Sequence, residues 1–383
     1  MIMAIKPARV LPAAALMLVS VASWAQLPAD QATVTTLDKP DAHRAYINDS
    51  GFVGAMNSRI RIIDGDQQKL LGTIPTGYLA PVTLSNDRQT VFTADTYFSR
   101  GIRGERTDLV TAWNSQTLEP RWEVEIPTKR ANKMPNRYGI GVSDDDRFVY
   151  VYNFTPATSV TVVNTQSHEV ANEIDTAGCF YNFPVGDRAF AAICGDGTLQ
   201  RIALDDQGQE QDRFRESFFN PNETQMVARP VRNGDMYYFV SFDGVVHPID
   251  VSGVQIQPGE PWALFDDQNN DLNWGVGGWD FMGISPKLNR FYVLVHPGHE
   301  DRNWQDPSDT VWVYDLDTKE KVNEIKLPSK VWSMQVTNDD QPLLVGAGFD
   351  GDVHVYDIDN NEMLGTLEDL INSPGVVISH GGS

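Results

Sequence analysis

From about residue 43 onward the chain repeats one texture: a short alternating or β-branched run, a polar turn, a second run, then a strand ending in Asp or Asn before another turn. Side chains alternate between faces along a strand, so this texture predicts strands, and no long segment carries the period of a helix. The clearest cycle is the last, with Val331 to Val336, a turn at Asn338-Asp339-Asp340, Pro342 to Ala347, a turn at Asp350-Gly351, Val353 to Asp357, and Met363 to Leu367. The cycle before it follows the same plan: Phe281 to Ser285, Arg290 to His296, Thr310 to Asp315 and Lys321 to Lys326, with an insertion at Gly298 to Ser308. Both place Tyr-Asp before a turn and a final edge strand, in VWVYDLDTKEKVNEI and VHVYDIDNNEMLGTL.

Comparable cycles begin near Pro81, Tyr138, Cys179 and Met226, at a spacing of roughly 40 to 57 residues, the scale of propeller blades. Each end of the chain holds an incomplete cycle. HRAYIND, RIRIID and KLLGTIP supply three strands between residues 43 and 75, and GVVISH at 375 to 380 supplies one more. Pairing the C-terminal strand with the N-terminal blade closes a ring and removes an open edge that would invite aggregation. The expectation is an all-β chain folded as a seven-bladed β-propeller over residues 43–383. A β-sandwich is the competing fold, but about 28 strands at blade-like spacing are too many for one.

The first residues read differently. Lys6 and Arg9, the apolar run Val10 to Val21 and the small-residue site Ser23-Trp24-Ala25 make 1–25 a signal peptide, and 26–42 reads as an extended arm. The apolar run is too short to span a bilayer, so a soluble, exported, periplasmic protein with no membrane partner is expected. The formal net charge is −22, and removing Lys6 and Arg9 with the signal makes it −24. Such a surface repels phosphate backbones, which argues against nucleic acid; solubility or steering of a basic partner remain as readings. The only two cysteines, Cys179 and Cys194, suit an oxidising compartment as one intrachain disulfide.

Catalytic chemistry is sparse. His296 and His299, in HPGHED, could join Glu300 and Asp301 around a metal, but a third ligand at suitable spacing is missing, and a polar loop explains the residues as well. No nucleophile elbow, phosphate-binding loop or HExxH is present. The carboxylates fall mainly in turns. Two stretches stand out. TYFSRGIRGERTD, 96 to 108, interrupts a blade with Arg100, Arg103 and Arg106, which can make bidentate carboxylate contacts within the chain or across an interface. LNWGVGGWDF, 272 to 281, sets Trp274 and Trp279 beside glycines, for core packing or for a partner surface.

Through these stretches the sequence resembles the heavy chains of tryptophan tryptophylquinone amine dehydrogenases, the methylamine and aromatic (aralkyl) amine dehydrogenases. SRGIRGERTDLV is similar to the family's arginine loop, TPATSVTVV follows at the expected interval, and AGCFYNFP with ICGDGTL looks like its heavy-chain disulfide, implying a Cys179 to Cys194 bond. PWALFDDQNNDLNWGVGGWDFMGI followed by FYVLVHP looks closer to the aromatic branch. The resemblance implies a seven-bladed heavy chain in an α2β2 assembly, with no catalytic residue, cofactor or metal of its own. The quinone and the catalytic base belong to a separate light chain. The reaction is then oxidative deamination of a primary amine to aldehyde and ammonia, with electrons passed to a small copper protein such as azurin or amicyanin. A family phenylalanine that lines the amine channel falls in PTGYLAPV, which places Tyr78 there with Leu79 beside it; the change to Tyr adds a hydroxyl that needs a partner. Arg100, Arg103, Arg106, Trp274 and Trp279 are the expected light-chain contacts. The rival readings are a stand-alone exported propeller that binds a ligand or protein, and a propeller enzyme with its own central-channel metal.

Overall fold

In the computed structural model, residues 36–50, 58–131, 135–266, 271–300 and 303–380 are described. The signal peptide assigned to 1–25 and residues 26–35 of the arm lie outside them. Residues 36–42 carry no strand or helix, and Leu37 N donates to Gln116 O at 2.9 Å.

The strands form seven antiparallel sheets. Six are built from consecutive strands, within residues 82–126, 140–175, 179–217, 226–263, 275–331 and 333–367, and are called blades 2 to 7. Blade 1 joins Arg44–Asp49, Arg59–Asp64 and Lys69–Pro75 to an inner strand from far along the chain, Pro374–Ile378. Tyr46 pairs with Ile378 and Ile47 with Val377, so the ring closes as the sequence pattern predicts. Asp49 Oδ1 accepts from the amides of Asn372 and Ser373, both at 3.0 Å, and steers the closing strand into place.

The repeated Asp or Asn before a turn has a local cause. Asn114, Asn164, Asp315 and Asp357 each accept, through a side-chain oxygen, from the amides two and three residues ahead, which fixes the turn to the outermost strand. In six of the blades the pairing of the two outer strands then shifts register, as at Val162/Val163 and Val355/Tyr356. Such bulges increase local twist. Blade 5 departs from the plan, since its outer edge is split into Gln257–Pro258 and Trp262–Ala263.

Apolar side chains of facing sheets fill the spaces between blades. Tyr46, Ile62, Val82, Val91 and Val376 pack between blades 1 and 2, and Ala45, Val345, Val355 and Val377 between blades 7 and 1. Cys179 and Cys194 face each other across the two inner strands of blade 4 and are disulfide-bonded, as expected.

Candidate functional site

Because strand direction alternates within a blade, the segments entering each inner strand and the loops joining second to third strands emerge at one end of the propeller, here the entry face. Tyr78, Leu79, the arginine loop, Trp274 and Trp279 all lie there.

The Tyr78–Leu79 segment is held from below by buried charge. Arg130 is 3% exposed and donates to Tyr78 O at 2.7 Å, Leu79 O at 3.1 Å and Thr96 Oγ1 at 2.7 Å. Burial lowers its pKa to about 10, and the nearby carboxylates of Asp108 and Asp95 oppose that shift. Asp95 accepts from Gly77 N at 2.7 Å and from the hydroxyls of Thr93 and Thr111. Leu79, with φ of +44°, donates its amide to Ser58 Oγ. The backbone is therefore fixed, with Tyr78 half-buried at the face and Leu79 buried beside it. Tyr78 packs edge to face on Phe98 at 6.2 Å, and its hydroxyl makes no hydrogen bond with a described residue. Leu79, Pro81, Arg130, Ala131, Tyr152 and Tyr181 line a narrow recess beside it.

The three loop arginines separate. Arg106 makes a bidentate pair with Asp108, at 2.9 and 2.7 Å, and donates to Arg130 O, so it serves the chain's own fold. Arg100 and Arg103 are exposed, and their side chains make no ion pair among the described residues. Between them Ile102 is 66% exposed, and Tyr97, Phe154 and Phe349 are exposed on the same face. Large apolar groups gathered on one face, with unpaired cations among them, mark a contact surface.

The two tryptophans also separate. Trp274 turns onto Trp312 in blade 6, ring centres 5.0 Å apart. Trp279 reaches over the ring centre: its Nε1 donates to Pro135 O at 2.7 Å, and it stacks on Trp332 at 5.2 Å. Gly278, with φ of +101°, permits this, because a Cβ there would lie 2.8 Å from Trp332 O. Beneath it Asp280 of blade 6 meets Arg137 of blade 3 at 2.7 Å, both 2% exposed, so an ion pair bridges the channel. Arg229 of blade 5 lies over Trp279, 4.1 Å from the ring centre, and over Trp304 at 5.0 Å.

Sequence reasoning singled out the projecting residues and missed Arg130, Arg137, Asp280, Arg229, Trp304 and Trp332. These are scattered singly through strand starts and loops, and only the folded ring brings them together. His296 Nδ1 donates to Pro297 O, 3.1 Å away, and among the described residues no group of three His, Cys, Asp or Glu is placed to hold a metal. The opposite end of the ring carries ion pairs between blades: Arg188 to Asp145, Arg232 to Asp144, and His43 to Asp339.

Fold and site together define a seven-bladed propeller with a bridged centre and one face given to exposed apolar and cationic groups. Residues 41–380 match the family described as methylamine dehydrogenase heavy chain, and the chain belongs to that family. The methylamine dehydrogenase heavy chain of Paracoccus versutus is 26% identical over 92% of this chain and 83% of its own length; that of Methylophilus methylotrophus is 24% identical over 91% and 86%. Among solved structures, a dihydro-heme d1 dehydrogenase (TM-score 0.58, 16% identity, 91% of this chain and 78% of that one) and a putative 6-phosphogluconolactonase from Bacteroides fragilis (0.58, 10%, 88% and 97%) share the fold. At those identities the likeness extends to the fold alone.

Proposed function

We propose that this chain is the non-catalytic heavy subunit of a periplasmic amine dehydrogenase, assembled as α2β2 with a small light chain that carries the tryptophan tryptophylquinone and the catalytic base. The observation that carries this reading is the entry face, where Tyr78, Arg100, Arg103 and Trp279 are presented, with Leu79 buried beside Tyr78, on a backbone anchored by buried hydrogen bonds. The bound quinone would supply the electron sink for oxidising a primary amine to aldehyde and ammonia. This chain's residues position and shield: Tyr78 and Leu79 would form one wall of the amine channel, and the apolar face would exclude water from it. The Tyr78 and Phe98 rings favour an aromatic or aralkyl amine over methylamine. Electrons would pass to a small copper protein, azurin or amicyanin.

Purification of the native protein, followed by native mass spectrometry and visible absorption, tests the reading. The expected result is a small cysteine-rich subunit with a quinone chromophore that bleaches with primary amines. A colourless single chain would overturn it in favour of a stand-alone binding propeller.

A further inference from the structure

Arg229 stands on the inner strand of blade 5, Met226–Asn233, at an irregularity in its pairing. Val227 pairs with Val240 and Val231 with Tyr238, so residues 228 to 230 stand opposite Phe239 alone. The neighbouring inner strand, Cys179–Val185, is irregular in the same way between Phe180 and Phe183, and there Tyr181 takes φ of +65°. Bulges of this kind re-aim side chains. Here one turns Arg229 in beneath the entry face, where it is 4% exposed.

What Arg229 meets there is unusual for a guanidinium. It lies over the faces of Trp279 and Trp304, yet it makes no hydrogen bond or ion pair with any described residue, and its Nε is fully enclosed without an acceptor. Every other buried arginine described above has one: Arg130 has carbonyls and Thr96, and Arg137 has Asp280. Indole faces compensate a buried cation in part but leave its N–H donors unmet. Burial pulls its pKa down to about 10, with Asp280 among the groups opposing that, so it stays a cation at neutral pH. A planar fork of donors held against two aromatic faces suits a planar or tetrahedral oxyanion in bidentate geometry, and among protein side chains that is a carboxylate.

We propose that Arg229, clamped by Trp279 and Trp304, is the receptor for a carboxylate side chain of the docked light chain. The proposal rests on the heavy-subunit reading above. It commits to the partner because Trp279 also belongs to the projecting face, and because the substrate of that reading, a cationic amine, is repelled by a guanidinium. The site is thus complete only in the complex.

The test compares light-chain binding by wild-type, Arg229→Met and Arg229→Lys heavy chains, with the thermal midpoint of each isolated heavy chain recorded alongside. Loss of one partner of a buried, hydrogen-bonded charge pair predicts binding weakened at least ~30-fold in Arg229→Met. Arg229→Lys, which keeps the charge and loses the fork, should fall between. The isolated Arg229→Met chain should melt no lower than wild type, because among the described residues the guanidinium has no internal partner beyond the two rings. Equal binding by all three chains would overturn the proposal and leave the heavy-subunit reading standing. So would binding lost only in step with a lowered midpoint, which would make Arg229 structural. A wild-type chain that binds no light chain would overturn both. In a structure of the complex, a partner carboxylate about 2.7–2.9 Å from the guanidinium is expected, and water alone at that position would count against the assignment.

Discussion

Tyr78 and Arg130 divide one task. Tyr78 presents a ring and an uncommitted hydroxyl, while Arg130 fixes the two carbonyls beneath it. On the proposed heavy-subunit reading, replacing Tyr78 by Ala would widen the amine channel, and a change of pocket volume is worth about 1–3 kcal/mol of discrimination. The ratio of kcat/KM for a bulky aromatic amine over a small alkylamine should therefore shift about tenfold or more in the reconstituted complex; an unmoved ratio takes Tyr78 out of the channel. Arg130→Met removes the partner of Thr96 and of two backbone carbonyls and strips a positive charge from Asp108 and Asp95, costing about 3–5 kcal/mol in chemical denaturation. At this scale the sequence was half legible. Tyr78 stands in a motif-like segment, and Arg100 and Arg103 stand in a visibly cationic loop. Arg130 follows an ordinary strand, and its importance comes from burial, which no local pattern encodes.

Between elements, the fold depends on a few charges set between blades. Asp280→Asn leaves Arg137 buried without its counter-ion, and unfolding should become easier by about 3 kcal/mol; pairing it with Arg137→Met should recover much of that, since no unpaired buried charge then remains. If the double variant is as weak as the single, the bridge is not the cause. At the opposite end His43 bonds Asp339 at 3.2 Å and Asp66 at 2.7 Å, joining blade 7 to blade 1. The Asp339 bond, with Asp66 adding and burial opposing, raises the pKa of His43 from 6.5 to about 9. The folded state thus holds this proton more tightly than the unfolded chain. Its stabilisation is complete below pH 6.5 and is lost as pH rises through about 9, a contribution on the order of 1–2 kcal/mol. Denaturation midpoints across that window should fall in wild type and stay flatter in His43→Gln; parallel slopes would exclude the clasp. The strands that frame these charges were legible, because runs such as VWVYD and VHVYD alternate cleanly and end in Asx turns. The split outer edge of blade 5 was not, since Pro258 and Pro261 interrupt the run and only pairing shows which residues rejoin the sheet.

Across the whole molecule, the two ends of the ring are specialised. One is laced with aspartate–arginine and aspartate–histidine pairs between blades, and the other exposes Tyr97, Ile102, Phe154 and Phe349 with Arg100 and Arg103. Composition gave the acidity of the chain but not this polarity, because alternate turns of one sequence go to opposite ends. Ring closure was legible for a simple reason: three strands at one end of the sequence and one at the other leave edges that only each other can cover. Deleting residues 374–383 should leave blade 1 without its inner strand, and size-exclusion chromatography with circular dichroism should then find aggregated or unfolded chain; a soluble monomer with the wild-type spectrum would show that the strand is dispensable.

The same closure sets a clock on synthesis. Tyr46 is made early and waits for Ile378, its partner in the sheet, which is synthesised 332 residues later. The blades between them can form one after another, but the ring cannot lock until Ile378 is in place. A chain cut short by premature termination carries an open edge into the cell, so incompleteness becomes visible to proteases as an unpaired strand.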